Sequence, residues 1–398
     1  MVDVKGLFPI FENNKEVVYL DSAASAQKPL SVINGMADVY MYSYANIHRG
    51  LYKLSETASS LYDDARKKVQ KFIGTRYSSE VIFTKGATEA VNLLANAFSY
   101  ILKSGDEIIV SEVEHHSNFV PWQQLALKLG LKLKIMPVLG NGELDYDWLR
   151  ENVSSAVKLF CVSGQSNVIG LENDIVKVVE LAHQVGAKVV VDGAQLVCHK
   201  SVNVATLDVD FFFFSGHKIY GPTGIGVLYG KIDLLREFSP YQYGGDMVDR
   251  VGIEKSTFKD VPEKFEAGTP PIVEAVGLGY AIDFVSEIGI DVIENHCREL
   301  TLYTINEISK IEDVKIVSSL NANGLVSFVV DGVSSFDIAS YLSMKNICVR
   351  VGKHCAEPLH IKLGLESSIR VSFGIYNTKE DVDKFMVALK KSISLIKG

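Results

Sequence analysis

The sequence lacks the marks of several large functional classes. It has no block of like charges. Its 40 Lys and Arg against 48 Asp and Glu give a formal net charge of −8, which argues against a nucleic-acid or membrane-surface binder. No uncharged apolar stretch is long enough to cross a bilayer. The N-terminus, MVDVKGLFPIFENNKEVVYL, has no basic region followed by an apolar signal core, so a cytoplasmic protein is expected. Cysteine is sparse. Cys161, Cys198, Cys297, Cys348 and Cys355 are odd in number, scattered and without a CxxC pair, so neither a disulfide framework nor a metal site is expected. A Walker A sequence is absent. The glycines Gly221, Gly224 and Gly226 precede a strand instead of opening a helix, which excludes the dinucleotide fingerprint.

What is present is an ordinary soluble composition, 47% apolar and 22% charged, over 398 residues, enough for two or three domains. From about Glu80 to Gly230, short β-rich runs alternate with helical patterns. EVIFT, DEIIVSEV, LKLKIMPV, KLFCVSG, AKVVVDG, DFFFFSG and GIGVLYG read as seven strands. EAVNLLANAFSYILK and DIVKVVELAHQVG read as helices between them. Apolar strands without polar alternation, joined by helical crossovers, predict an α/β fold with a mostly parallel seven-stranded sheet covered on both faces. After about Ala281 the character changes. One long helical pattern, IDFVSEIGIDVIENHCRELTLYTINEISKI, leads to a smaller C-terminal α/β unit that ends in a helix after Thr378. The expected division is a large domain over 20–281 and a small one over 282–398, with the segment 1–19 packing on the latter.

Open parallel sheets bind ligands beyond the carboxyl ends of their strands. The residues in that position form a distinctive set. Gly86, Ala87 and Thr88 follow EVIFT at the start of a helix, where free amides and a hydroxyl favour an anion. His115 follows DEIIVSEV, Asn167 follows KLFCVSG, and Asp192 and Gln195 close AKVVV. Four phenylalanines deliver Ser215, His217 and Lys218. Each has an ordinary reading as a cap, a structural histidine or a surface lysine. Together they match what pyridoxal 5′-phosphate requires: a Schiff-base lysine, an acid partner for the ring nitrogen, a flat neighbour for the ring and donors for the phosphate.

The motifs also carry a family resemblance over nearly the whole length. YLDSAASAQKP, ANIHRGLYKLS, GATEAVNLLA, EHHSNFVPW, SNVIG, VDGAQ, SGHKIYGPTGIGVLYG, FEAGTPP and RVGKHCAEP occur in family order. The chain resembles the SUF-type cysteine desulfurases, within the class V aminotransferase-like pyridoxal phosphate enzymes of fold type I. The resemblance implies that Lys218 bonds the cofactor's aldehyde, Asp192 pairs with its ring nitrogen, Gln195 meets its phenolic oxygen and His115 stacks on the ring. Ala87, Thr88, Ser215 and His217 would hold the phosphate. Thr269 would reach the phosphate site of the neighbouring subunit of a homodimer. Arg370, Asn167 and Arg350 would bind L-cysteine. Cys355 would take the substrate's sulfur as a persulfide, with Lys353, His354 and Arg350 placed to lower its thiol pKa.

A sulfur-acceptor protein of the SUF system, serving iron–sulfur cluster assembly, is the implied partner. Lys353 departs from the family, which often has a histidine there, and Gly164, Ser201 and Asn203 are further departures. Selenocysteine lyase and cysteine sulfinate desulfinase activities share this scaffold, and a non-catalytic scaffold protein is the reading from outside enzymology.

Overall fold

The computed structural model describes residues 4–398. Its main sheet has seven strands, in the order Val81–Thr84, Gly226–Gly230, Phe211–Ser215, Lys188–Asp192, Val157–Ser163, Glu107–Ser111 and Lys132–Met136. Only Gly226–Gly230 runs against its neighbours, pairing antiparallel with the strands on both sides. The four phenylalanines show why the strands are apolar without alternation. Phe212 and Phe214 join the core on one face of the sheet, and Phe211 and Phe213 join the core on the other. All four are fully buried. Burying a side chain of this kind contributes roughly 1.5–3 kcal/mol, so the strand that ends at Ser215 is held firmly on both faces.

The second unit is a four-stranded antiparallel sheet in the order Val314–Ile316, Leu325–Val330, Ser368–Ser372 and Arg350–Gly352. The N-terminal segment is part of this unit's core. Val4, Phe8, Phe11, Val18 and Leu20 pack with Phe328, Val371 and Phe385, while Val18–Tyr19 pairs in parallel with Ile347–Cys348. Residues 1–3 of the expected N-terminal segment lie outside the described residues. The expected long helix beginning near residue 282 is two helices, Ile272–Ile288 and Ile290–Ile308, broken at Gly289. That residue has φ of 90°, a conformation glycine adopts without a Cβ clash. The first helix passes from one core to the other. Leu278 and Ile282 pack on the main sheet, and Phe284 and Val285 pack in the second core. The last helix, Lys379–Lys397, starts at Thr378, where Thr378 and Asp381 form a reciprocal cap. No helix among the described residues is long and apolar enough to cross a membrane.

Candidate active site

The carboxyl end of the main sheet opens into a cavity of ≈ 230 Å³. Lys218, Asp192, Gln195, His115, Ala87, Thr88, Ser215, His217, Asn167, Arg350 and Arg370 all line it. The main sheet supplies most of this set, and the smaller unit contributes Arg350, His354 and Arg370 across the opening. Ser163, the last residue of its strand, also lines the cavity, as do Ala23 and Ala24 of the N-terminal segment. A strict reading of strand ends would have found Ser163. No sequence signal marked the two alanines as part of the wall.

Local packing explains how the lysine is presented. After Ser215 the chain makes a short 3₁₀ turn, Gly216–Lys218, and Gly221 N–H closes it on the Gly216 carbonyl at 3.0 Å. The His217 carbonyl accepts from the Ala26 N–H at 3.0 Å and from Lys28 Nζ at 3.2 Å, so the N-terminal segment holds the lysine turn from above. A Cβ on Gly226 would stand 2.4 Å from the Gly86 Cα. This close approach of two glycines seats the helix Ala87–Phe98 on the end of the lysine strand, where Ala87 N–H donates to Ser215 Oγ at 2.9 Å. Thr88 Oγ1 shares a 2.8 Å hydrogen bond with Ser117 Oγ. Two hydroxyls and a helix N-terminus therefore converge where an anionic group can bind.

Electrostatics distinguish the site from ordinary packing. Burial pushes the Lys218 amine below its usual pKa, and the charge of Asp192 opposes that shift. Burial pushes Asp192 up, opposed by Lys218 and by the Ala194 N–H, which donates to Oδ1 at 2.9 Å. His115 is driven down to about 3, by burial first and the Lys218 charge second, so its imidazole is neutral. Its Nδ1 accepts from Ser117 N–H at 3.0 Å, which puts the ring proton on Nε2. Gln195 Nε2 donates to the Ala23 carbonyl at 2.9 Å. Beneath the floor, the wholly buried Glu114 accepts from Ser163 N–H at 2.7 Å and from Asn118 Nδ2 at 2.6 Å, and also bonds Ser111 Oγ. Burial raises its pKa to about 7.

Arg370 is 2% exposed and its pKa falls to about 10, mainly through burial. Nη1 donates to the Asn167 carbonyl at 2.9 Å, Nη2 lies 3.3 Å from Asp21 Oδ1, and Nε is buried without a partner. Asp21, which the sequence reading passed over, is the carboxylate nearest this guanidinium, and burial raises its pKa against the pull of Arg370 and Arg350.

Two expected site residues stand outside the cavity wall. Cys355 is half-buried in the loop just beyond it, and its neighbour His354 is the lining residue. Both have left-handed backbones, with φ of 50° for His354 and 56° for Cys355. Such conformations are uncommon outside glycine and are often associated with function. Hydrogen bonds from both units hold the loop. Asn167 Nδ2 donates to the His354 carbonyl at 2.7 Å, and His116 N–H donates to the Cys355 carbonyl at 2.6 Å. Glu357 N–H donates to His116 Nε2 at 3.0 Å, and Ala356 N–H to the Lys353 carbonyl at 2.8 Å. Thr269 lines a separate cavity with Lys85, Glu89 and Gln242.

The expected cationic support for the thiol needs correction. His354 is driven down to about 2, by burial first and then by the Arg370 charge, so it is neutral. Lys353 is half-exposed and paired with Glu357. His354 therefore drops out of the expected cationic support, and Lys353 shares its charge with Glu357.

Comparison with known proteins fits this geometry. The aminotransferase class-V family profile matches residues 18–385. The chain belongs to that family. Among curated relatives, a probable cysteine desulfurase of Halalkalibacterium halodurans is 42% identical, covering 98% of this chain and 97% of the relative. A cysteine desulfurase of Dickeya dadantii is 40% identical over 98% and 95%. A solved cysteine desulfurase structure from Escherichia coli superposes with a TM-score of 0.93 at 36% identity, covering 98% of both chains.

Class-V family members use pyridoxal 5′-phosphate. The cavity has the donors for it: a desolvated amine for an aldehyde, a buried carboxyl for a ring nitrogen, and hydroxyls at a helix N-terminus for a phosphate. A buried acid and a buried base, each pushed toward neutrality, suit a ligand that carries the complementary charges.

Proposed function

We propose that the protein is a pyridoxal 5′-phosphate-dependent cysteine desulfurase that converts L-cysteine to L-alanine and stores the sulfur on Cys355. The observation that carries this reading is the arrangement at the cavity mouth. A buried lysine and a buried aspartate sit at the ends of adjacent strands, with a cysteine loop just beyond them. Residues 20–281 are the cofactor-holding unit in this reading. Residues 282–398, with the N-terminal segment, carry the thiol.

Bound in the cavity, the cofactor would supply an electron sink that makes an amino acid's Cα proton removable. Lys218 Nζ, its charge disfavoured by burial, takes that proton and later returns one. Asp192 would hold the ring nitrogen, and the neutral His115 would stack on the ring. Ser215, Thr88 and His217, with Ala87 at the start of the same helix, would hold the phosphate, and Gln195 would reach the phenolic oxygen. Arg370, with Asn167 and Arg350, grips the substrate's carboxylate, for which the planar guanidinium is well matched. Cys355 Sγ, as thiolate, attacks the substrate's sulfur. The new S–S bond forms as the substrate's C–S bond breaks, and the carbon keeps the electron pair and takes up a proton to become the methyl group of alanine.

The short Cys355 loop, tied on several sides, supports a finer reading in which the persulfide is passed to a SUF-type acceptor protein for iron–sulfur cluster assembly. A homodimer would give Thr269 a role at the partner's phosphate site. The test is to incubate the cofactor-loaded protein with L-cysteine and measure alanine together with the mass of the Cys355 peptide. One added sulfur, absent in Cys355→Ser, is expected. A wild-type protein that releases selenide from selenocysteine but forms no alanine from cysteine would move the assignment to a selenocysteine lyase.

A further inference from the structure

Beneath the cavity floor lies a buried acid that the reaction above does not use. Glu114 is fully buried, and its hydrogen bonds come from neutral groups. Oε1 accepts from Ser163 N–H at 2.7 Å and also bonds Ser111 Oγ. Oε2 accepts from Asn118 Nδ2 at 2.6 Å and from Ser163 Oγ at 2.5 Å. A carboxyl group is an expensive choice for a buried tie. The donors around it show why no cheaper group serves. Trp122 Nε1–H donates to Asn118 Oδ1 at 3.0 Å. An indole nitrogen only donates, so the Asn118 amide is fixed with Nδ2 toward Glu114. Ser163 N–H is also a donor only. Each oxygen of Glu114 thus faces an obligate donor, and the isosteric amide would set its own NH₂ against one of them.

These ties join the two residues expected to locate the cofactor ring. Ser163 ends its strand level with Asp192 on the next one, and Gly164 N–H donates to the Asp192 carbonyl at 2.8 Å. On the other side, Glu114 and Asn118 flank His115. Asn118 N–H donates to the His115 carbonyl at 2.8 Å, and Ser117 N–H donates to His115 Nδ1 at 3.0 Å. The turn that presents the imidazole is therefore fastened to Glu114 directly and again one helical turn later. Ser163, Asp192 and His115 all line the cavity.

We propose that Glu114 is a positioning residue: bonded to Ser163 on one side and Asn118 on the other, its carboxylate sets the spacing between Asp192 and His115, and so the slot that receives the cofactor ring. The inference rests on the roles proposed for Asp192 and His115. Glu114→Gln places a donor against a donor and pushes the His115 turn away from the Asp192 strand. Adding Asn118→Asp reverses this. The introduced amide then donates to the introduced carboxylate, its carbonyl accepts from Ser163 N–H, and the carboxylate still accepts from Trp122 Nε1–H.

The test is made at pH 8, above the value of about 7 to which burial raises Glu114, so that the wild type holds the anion. Wild type, Glu114→Gln and the double variant Glu114→Gln/Asn118→Asp are titrated with pyridoxal 5′-phosphate. Affinity is measured together with the induced circular dichroism of the bound cofactor, which reports how the ring is held. Glu114→Gln is expected to weaken cofactor binding by about tenfold, the scale of one hydrogen bond to a charged group, and to reduce the dichroic band. The double variant is expected to return affinity to within about twofold of wild type and to restore the band. A purely structural tie would lower the melting temperature and leave both readings unchanged. Unchanged affinity and an unchanged band in a folded Glu114→Gln protein therefore overturn the inference, as does a double variant no better than the single one. If Glu114→Gln does not fold, Asn118→Ala, which removes the same tie from the helix side, is read in its place with the same expected loss. A wild type that binds the cofactor but forms no alanine from L-cysteine refutes the proposed function, and the binding comparison is read independently of it.

Discussion

The two walls of the cavity are built differently. On the main-sheet side, Lys218, Asp192 and His115 stand at the ends of strands or the start of a helix, and the strand carrying the lysine is buried on both faces. On the opposite side, Cys355 sits in a loop with two successive left-handed residues, held by hydrogen bonds from its own unit and from the main sheet. The first wall is rigid through burial. The second depends on a few polar contacts, and each is worth only about 0.5–1.5 kcal/mol. A wall made this way can yield, which would suit the proposed transfer, in which the Cys355 thiol takes sulfur inside the cavity and presents it outside.

Substitutions can test that contrast. The largest loss is expected from Lys218→Ala, where removing the proton-transfer group should lower alanine formation by about 10²–10⁴-fold or more. Cys355→Ser should abolish sulfur transfer while leaving cofactor absorbance intact. If it also released the cofactor, the two walls would not be separable.

Glu114 tests the rigid wall through stability. Its pKa rises from the ordinary 4.5 to about 7 in the folded state. The folded protein therefore binds the extra proton, and the stabilisation is full below pH 4.5 and is lost as pH rises through 7. Glu114→Gln should remove this slope, so that its stability relative to wild type improves by about 3 kcal/mol between pH 4 and pH 8. Urea denaturation at the two pH values measures it.

His116→Ala removes the acceptor for Glu357 N–H and should slow sulfur transfer roughly fivefold, in line with one hydrogen bond. Cofactor affinity should not change. Lys353→Ala should alter turnover by less than about twofold, because exposed ion pairs contribute little.

The same contrast decided what could be read from the sequence. Strand-end residues of a parallel sheet are legible because apolar runs locate the strands and topology brings their ends together. Lys218, Asp192, Ser215 and His115 were found in this way and do share a cavity. The break at Gly289 was missed because apolar periodicity continues through it. The charge state of His354 was misjudged because burial cannot be seen in a short polar motif, and KHC reads as exposed and basic. Asp21 was overlooked for a related reason. Its place beside Arg370 depends on the N-terminal segment pairing with a strand more than 300 residues later, and no local pattern encodes that.

His115 and His116 are neighbours in the chain, yet one borders the cofactor pocket and the other clasps the sulfur loop through its N–H and Nε2. A shift of the first ring would pass within one peptide unit to the loop that bears Cys355. In the proposed reaction, occupancy of the pocket and the reach of the Cys355 thiol would be linked through the backbone alone.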